Sequence, residues 1–144
     1  MRIYLDNCCF NRPFDDQSQS RIQTETEAKL KIQALVQAMK VELVWSYILE
    51  HENAANPFPE RRDAIVLWKQ RATVDVSENE AVLMHATDLN RQGIRPKDAL
   101  HLASAITSDC DYFITTDDIL LRRTSSLATI RTVTPQQFLS EVTL

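Results

Sequence analysis

The sequence predicts an α/β protein, a three-layer α/β/α sandwich with a central, mainly parallel sheet of about four to five strands. Short apolar runs of strand length alternate along the chain with longer segments in which apolar residues recur every three or four positions. This alternation is typical of a parallel sheet with helices on both faces. The 144 residues contain no repeat and a single glycine, Gly93, and they have the length of one domain spanning 1–144.

The first part of the chain predicts two strands and two helices. RIYLD at 2–6 is an apolar run that ends on an acid, and VELVWS at 41–46 is rich in Val and Trp, so both favour strands. Residues 18–39 between them are predicted to be helical. The apolar side of that helix comprises Ala28, Ile32, Leu35, Val36 and Met39. YILEHENAA at 47–55 predicts a short helix that ends near Asn56-Pro57.

The middle of the chain predicts three further helices. The first covers residues 60–72, with Ala64, Leu67, Trp68 and Arg71 along one side. Ser77-Glu78-Asn79-Glu80 fits a capping box that begins the second. Its buried face is predicted to comprise Val82, Ala86 and Leu89, with Gly93 as a left-handed stop. Pro96 is suited to the first position of the third helix, which continues as KDALHLASAIT.

The last part of the chain predicts two strands, at 111–115 and 130–133, and a final helix. Thr134-Pro135-Gln136-Gln137 fits a second capping box with proline at the first helical position. In parallel sheets with helical crossovers, binding sites form beyond the carboxyl ends of the strands. Polar residues that follow the predicted strands are therefore the first candidates for a functional site.

Composition excludes several classes of function. No apolar run approaches the roughly 20 residues that a membrane span needs, and the aspartate within MRIYLDNCCF is incompatible with a signal peptide. Three cysteines, with Cys8 and Cys9 adjacent, make neither a disulfide framework nor a zinc motif, so we expect free thiols in a reducing cytoplasm. The net charge of −4 does not exclude nucleic-acid binding, because a bound cation would reverse the charge of an acidic site.

Four acids are predicted to converge on one edge of the sheet. Asp6 ends the first strand, and Glu52 lies one to two turns into the helix after the second. Asp98 falls in the first turn of the helix begun by Pro96, and Asp117 follows the strand at 111–115. Carboxylate oxygens are preferred ligands of Mg²⁺ and Mn²⁺, and grouping them without a cation is repulsive. The sequence therefore favours a divalent metal site.

Each acid taken alone has a simpler explanation. An aspartate in the first turn of a helix, as Asp98 is, ordinarily interacts with the helix dipole. Asp117 fits a turn or a helix cap, and Asp118 is the alternative to it as the fourth acid. Asp6 is the hardest to explain in this way, because it directly follows Ile-Tyr-Leu. The metal-site prediction therefore depends on the combination.

Four stretches of the sequence together resemble the PIN-domain family. They are IYLDNCCFNRPF at 3–14, SYILEHEN at 46–53, KDALHLASA at 97–105 and FITTDD at 113–118. The most specific part is Asp-Ala-Leu-His-Leu-Ala followed later by Phe-Ile-Thr-Thr-Asp. The first motif departs from the family, which has Asp-Thr or Asp-Ser followed by apolar residues where this chain has Asp6-Asn7-Cys8-Cys9. The departure indicates a distinct subgroup.

The resemblance implies a PIN-like fold and a Mg²⁺- or Mn²⁺-dependent endoribonuclease. The family's catalytic and metal-binding acids fall on Asp6, Glu52, Asp98 and Asp117, with Asp118 as the fallback for Asp117. It further implies a VapC-like toxin ribonuclease of a type II toxin–antitoxin pair, a homodimer that cleaves RNA and is inhibited by a small antitoxin. The alternative is a catalytically inactive PIN-like module for binding or scaffolding. A flavodoxin-like nucleotide-binding protein is disfavoured, since a chain with one glycine has no phosphate-cradling loop.

Positive residues beside the predicted ligands are candidates for holding the substrate phosphates. Arg12 follows Asp6, and Arg95 and Lys97 flank Asp98 in sequence. Arg61 and Arg62 lie on a separate predicted helix and are expected to be solvated surface residues.

Overall fold

The strands and helices alternate along the chain and form one parallel sheet between two helical layers. The computed structural model describes residues 1–144. The strands are β1 (Arg2–Leu5), β2 (Glu42–Ser46), β3 (Val74–Val76), β4 (Tyr112–Ile114) and β5 (Arg131–Val133). The helices are α1 (Asn7–Asn11), α2 (Ser20–Gln37), α3 (Tyr47–Ala54), α4 (Pro59–Val66), α5 (Glu80–Arg91), α6 (Pro96–Thr107), α7 (Asp118–Arg123) and α8 (Pro135–Glu141). Short 3₁₀ segments, Arg12–Phe14 and Leu67–Arg71, follow α1 and α4. The predicted α/β/α fold is confirmed, with strand β3 and the short helices α1 and α7 in addition to the predicted elements.

The order of the strands brings three loops together at one edge of the sheet. The order is β3-β2-β1-β4-β5, and every neighbouring pair is parallel. The chain leaves β1 at the centre, moves to β2 and β3 on one side, and returns to β4 and β5 on the other. Such a reversal opens a crevice outside the carboxyl ends of the central strands. Asp6 directly follows β1 at this crevice. Helix α3 follows β2 on one side of it, and Thr115–Asp117 follow β4 on the other.

The central strands are buried on both faces, which explains their continuous apolar character. Ile3, Tyr4 and Leu5 of β1 have no exposed surface, and Phe113 and Ile114 of β4 are equally buried. The rings of Tyr4 and Phe113 stack with centroids 5.2 Å apart. A sheet covered by helices on both faces needs apolar side chains at successive positions rather than at alternate ones.

Several predicted helix ends and faces are confirmed. Val82, Ala86 and Leu89 are buried, and Gly93 has φ +93° directly after the end of α5. Pro96 begins α6. Thr134 and Gln137 form the predicted capping box, in which the Thr134 side chain accepts from the Gln137 amide and the Gln137 side chain accepts from the Thr134 amide.

Other local predictions are wrong. The cap of α5 is Asn79, whose side chain accepts a hydrogen bond from the Val82 amide, so Ser77 does not form the expected box. Met39 is 85% exposed, because it lies beyond the end of α2 at φ +58°. The helix predicted over 60–72 is an α-helix only as far as Val66, and its buried residue is Ile65, whereas Leu67 is 58% exposed. No helix combines the length and apolar character needed to cross a membrane.

Candidate active site

Asp6 is fixed where β1 meets α1. Its backbone amide donates to the Ile114 carbonyl at 2.9 Å, which continues the pairing of β1 with β4 past the end of the strand. As the cap of α1, its Oδ1 accepts from the Asn7 amide at 2.8 Å, and its Oδ2 accepts from the Thr115 hydroxyl at 2.8 Å. Only 7% of the residue is exposed. Asp6 is therefore a nearly buried carboxylate with a fixed orientation.

Asp117 and Asp118 have different partners. Asp117 caps α7, and its Oδ1 accepts from the Ile119 amide at 2.9 Å and the Leu120 amide at 3.2 Å. Its Oδ2 makes no hydrogen bond within the protein. Asp118 is exposed and forms a two-pronged ion pair with Arg21, at 2.8 and 2.9 Å. The structure therefore leaves an oxygen of Asp117 open and occupies both oxygens of Asp118.

Asp98 lies in the first turn of α6 and makes no hydrogen bond within the protein. The residue is half-buried. Burial raises the pKa of Asp98, and the negative charges of Asp6 and Asp117 raise it further, against a smaller opposing effect of His101 and Arg95. Asp6 and Asp117, from two other parts of the sequence, thus lie near enough to disfavour the charge of Asp98.

Glu52 is held at the end of a chain of buried hydrogen bonds. Its Oε1 lies 2.6 Å from His101 Nε2, and His101 Nδ1 lies 2.6 Å from the Tyr4 hydroxyl. The Tyr4 hydroxyl in turn lies 2.6 Å from Ser46 Oγ, which caps α3 by accepting from the Leu49 amide. The chain links the central strand β1 to α6, β2 and α3. It fixes the Glu52 side chain toward the sheet edge, whereas Glu50 faces away and accepts from Trp45.

The charges of Glu52 and His101 favour each other. Burial pushes the pKa of Glu52 upward, but the hydrogen bond from His101 and the charges of His101 and Lys97 outweigh it, so the pKa lies below the ordinary value. Burial pushes the pKa of His101 downward, but the hydrogen bond to Glu52 and the charges of Asp6 and Asp98 raise it overall. Both shifts favour a carboxylate paired with an imidazolium. In that state Nδ1 donates to the Tyr4 oxygen, and the Tyr4 hydroxyl donates to Ser46.

Comparison with known proteins gives a family and a fold. The family model for the PIN domain matches residues 3–126 of the 144. The chain belongs to the PIN domain family. No curated protein matches it in sequence.

Two solved structures share the fold of this PIN domain. VapBC-1 from nontypeable Haemophilus influenzae has a TM-score of 0.60 at 20% identity, and the match covers 94% of this chain and 99% of that one. VapBC2 from Rickettsia felis, bound to a DNA fragment from its promoter, has a TM-score of 0.57 at 12% identity, with coverage of 92% and 97%. At these identities the likeness establishes the fold, and the functional argument depends on this chain's own residues.

The carboxylates of this PIN domain face one edge without forming a ready metal cluster. No group of three or more His, Cys, Asp or Glu side chains stands in an arrangement that could hold a metal ion as it is. Asp98 and the free oxygen of Asp117 would have to approach a cation from their present positions. Both lie at the starts of helices, Asp98 in the first turn of α6 and Asp117 as the cap of α7.

The three cations that the sequence suggested differ in accessibility. Arg12 is only 19% exposed in its side chain, and its guanidinium donates to Asp15 at 3.1 Å and Thr116 at 2.9 Å. It also lies 3.4 Å from the buried carboxylate of Glu25. These contacts occupy most of the Arg12 guanidinium within the protein, and a contact of Arg12 with phosphates stays a prediction. Arg95 and Lys97 are exposed beside Asp98.

Tyr4 and Ser46 were not predicted from the sequence to belong to the candidate site. Tyr4 is a fully buried residue of a central strand, and such a tyrosine is ordinarily a core side chain. Its hydroxyl needs a partner inside the protein, and this requirement was the only signal that pointed to a buried polar network. The prediction that Arg61 is merely solvated is also wrong, since its guanidinium donates to Asp15 at 3.0 Å and to the Phe14 carbonyl at 2.7 Å.

Proposed function

We propose that this PIN domain is a Mg²⁺- or Mn²⁺-dependent endoribonuclease. The observation that carries the proposal is the carboxylate of Asp98, which has no hydrogen-bond partner. Burial raises the pKa of this carboxyl group, and the charges of Asp6 and Asp117 raise it further. Acids grouped in this way are unfavourable unless a cation joins them. Membership of the PIN domain family supports nuclease chemistry at this position of the fold.

The donor set fits a hard divalent cation. Asp6, Asp98 and Asp117 offer only carboxylate oxygens, which suit Mg²⁺ and Mn²⁺ better than softer metals. Mg²⁺ keeps several of its waters and needs only one or two carboxylates directly, so a site without a preformed cluster of three acids still fits it. Asp6, Asp98 and Asp117 would hold the cation, and Glu52 would contribute directly or through a water molecule.

The protein's own groups would keep these carboxylates in place during the reaction. When bound, the cation lowers the pKa of a water molecule and neutralises charge on the scissile phosphate. The Thr115 hydroxyl holds Asp6 Oδ2, and His101 Nε2 holds Glu52 Oε1. Lys97 and Arg95, exposed beside Asp98, would meet phosphates on either side of the scissile bond. No covalent intermediate with the protein is needed.

A toxin role is the second part of the proposal. The chain's length, its family and the fold shared with the two VapBC structures support the toxin half of a toxin–antitoxin pair. Such a protein would act in the cytoplasm as a homodimer and would be inhibited by a small antitoxin. Light scattering after size exclusion, with and without the product of the neighbouring gene, measures both associations.

Cleavage of a mixed-sequence single-stranded RNA with Mg²⁺, Mn²⁺ or EDTA tests the nuclease proposal. We expect cleavage only with a cation. Asp98→Asn should reduce the cleavage rate by more than about 100-fold. Replacing a residue that only orients a metal ligand already reduces metal affinity or activity roughly 10–100-fold, and Asp98 is proposed to bind the metal itself. Asp88→Asn is the matched control, since this aspartate is exposed on α5 and pairs with Arg91. If the wild type leaves every RNA intact with both metals yet binds the neighbouring gene product, the inactive scaffold replaces the nuclease.

A further inference from the structure

A polar cavity has Glu52, one of the four candidate acids, in its wall. Its volume is about 370 Å³, the size of a small-ligand site. The lining side chains include three amides, two cations and an aromatic ring: Asn7, Asn11, Asn56, Arg61, Lys97 and Phe58. Because Glu52 belongs to both the cavity wall and the candidate active site, a ligand in the cavity would lie directly beside the carboxylates.

Phe58 and Arg61 form a preassembled stack at the mouth of this cavity. The Arg61 guanidinium lies over the Phe58 ring, 4.7 Å from its centroid, and 5.9 Å from the centroid of Phe14. Its hydrogen bonds to Asp15 and to the Phe14 carbonyl fix its orientation. Phe58 is nevertheless 54% exposed. An exposed aromatic ring backed by a fixed guanidinium is the kind of surface on which nucleic-acid bases stack.

An amide ladder holds Phe58 in a fixed position relative to the acids. The Asn56 side chain accepts from the Phe58 amide at 3.1 Å and donates to the Asn11 side chain at 3.1 Å. Asn11 donates in turn to the Asn7 carbonyl at 3.0 Å. Asn7 directly follows Asp6. The loop that carries Phe58 is thus tied by hydrogen bonds to α1, the helix that Asp6 caps.

The two positive side chains of the cavity, Lys97 and Arg61, differ in whether their charge is paired within the protein. Arg61 is paired with Asp15, so its charge is largely neutralised and its flat face is its useful feature. Lys97 is exposed, forms no ion pair and lines the same cavity as Phe58 and Glu52. An unpaired ammonium that shares a cavity with an aromatic ring and an acid of the candidate site is suited to a phosphate that links a stacked base to the reacting phosphate.

We propose that this cavity is a nucleotide subsite for single-stranded RNA, in which one base stacks on Phe58 and its phosphate lies against Lys97. The proposal rests on the proposed ribonuclease function and specifies how the substrate is held beside the metal site. A single strand is required because bases within a duplex have no free face to stack on the protein. The amides of Asn7 and Asn11 can both donate and accept, so they suit the ribose 2′-hydroxyl that distinguishes RNA from DNA.

Binding of labelled RNA in Ca²⁺ tests the subsite without cleavage. The probes are a single-stranded RNA of about eight nucleotides and the DNA of the same sequence, a length typical of one binding site. We expect Phe58→Ala to weaken RNA binding by roughly 5–100-fold, the range for loss of one stacked base, and Phe58→Trp to restore it. Tryptophan emission of Phe58→Trp should fall when RNA binds. Leu67→Ala is the control, because Leu67 is equally exposed, at 58%, and does not line the cavity.

The outcomes separate the subsite from the nuclease proposal. If wild type cleaves RNA and Phe58→Ala binds RNA as tightly as wild type does, the subsite is rejected while the ribonuclease stands. If RNA binds with the expected loss in Phe58→Ala but is never cleaved, the nuclease fails and the RNA subsite stands. Equal affinity for the DNA probe would overturn the assignment to RNA. Absence of any binding by wild type would overturn the subsite.

Discussion

The three aspartates of the candidate active site differ in how many hydrogen bonds their carboxylates accept. Both oxygens of Asp6 accept hydrogen bonds, one oxygen of Asp117 does, and neither oxygen of Asp98 does. A carboxylate that lacks partners and faces like charges is stabilised most by a cation. A bound cation would therefore stabilise the charge of Asp98 most. The position of the Asp6 carboxylate would depend on the cation least, because the protein already holds both of its oxygens.

This difference predicts that two variants differ in stability without metal, and that one of them loses its response to metal. In EDTA, Asp98→Asn should raise the melting temperature by roughly 2–4 °C, the shift that about 1 kcal/mol gives in a chain of this length, because it relieves repulsion without breaking a bond. Asp6→Asn should gain less, since the amide disturbs the hydrogen bond from Thr115. Adding Mn²⁺ should stabilise wild type and leave Asp98→Asn nearly unchanged. Thermal melts with and without Mn²⁺ measure this, and an equal Mn²⁺ shift in both proteins would remove Asp98 from the metal site.

At the scale of elements, the short helices after β1 and β4 explain why the acids converge. Asp6 caps α1 and Asp117 caps α7, helices of five and six residues. A capping aspartate fixes one oxygen on the helix amides and leaves the other near the strand end. The simpler explanation of Asp117 as a helix cap is therefore correct and compatible with a role in the site. The sequence did not predict these helices, because five or six residues carry too little periodicity to be recognised.

The sequence predicted those residues of the candidate site whose place follows from the strand or helix directly beside them in the chain. Asp6 and Asp117 follow strands, and the carboxyl ends of parallel strands meet at one edge, so their convergence could be inferred. The roles of Arg12 and Tyr4 could not, since their partners lie 104 and 97 residues away, on Thr116 and His101. Strand β3 was missed because its three residues at the sheet edge lack the continuous apolar character of the central strands.

A pair of tyrosines on neighbouring strands tests the buried network. Tyr4→Phe removes the hydroxyl that joins His101 to Ser46 inside the core. We expect it to lower the free energy of unfolding by about 1–3 kcal/mol, the cost of leaving buried polar partners unsatisfied. Tyr112→Phe is the control, because that hydroxyl bonds to Glu141 at the surface, at 3.2 Å, and its loss should cost less than about 0.5 kcal/mol. Urea unfolding measures both variants, and equal costs would show that the network adds no stability.

At the scale of the whole molecule, the layer formed by α2 buries charge away from the active site. Glu25 is 2% exposed and lies between the guanidinium groups of Arg12 and Arg21, each 3.4 Å away. Lys29, one turn further along the helix, is 3% exposed and has no carboxylate partner. Its ammonium lies over the rings of Phe10 and Trp68, 5.3 and 5.7 Å from their centroids. The layer thus holds two buried charges, that of Glu25, which two arginines neutralise, and that of Lys29, which no carboxylate neutralises.

The uncompensated charge predicts how the stability of the whole protein depends on pH. Burial lowers the pKa of Lys29 from 10.5 to about 8, against a small opposing effect of Cys9. Between these two values the unfolded chain binds more protons than the folded one, so the free energy of unfolding rises with pH through this window. The rise should be on the order of 3 kcal/mol, at about 1.4 kcal/mol for each unit of pKa. Below pH 8 the full cost of burying the ammonium is present.

Lys29→Met therefore should stabilise the protein at pH 7 and remove this rise. Methionine keeps the length of the side chain and its contacts with Phe10 and Trp68 without the charge. Lys31→Met is the matched control, because Lys31 is exposed on the same helix and should retain the pH dependence of wild type. Urea unfolding at intervals from pH 7 to about 10 gives the difference between each variant and wild type, in which the titration of the other groups cancels. Parallel curves for Lys29→Met and wild type would mean that the ammonium reaches solvent in the folded protein and that this layer of the sandwich opens around it.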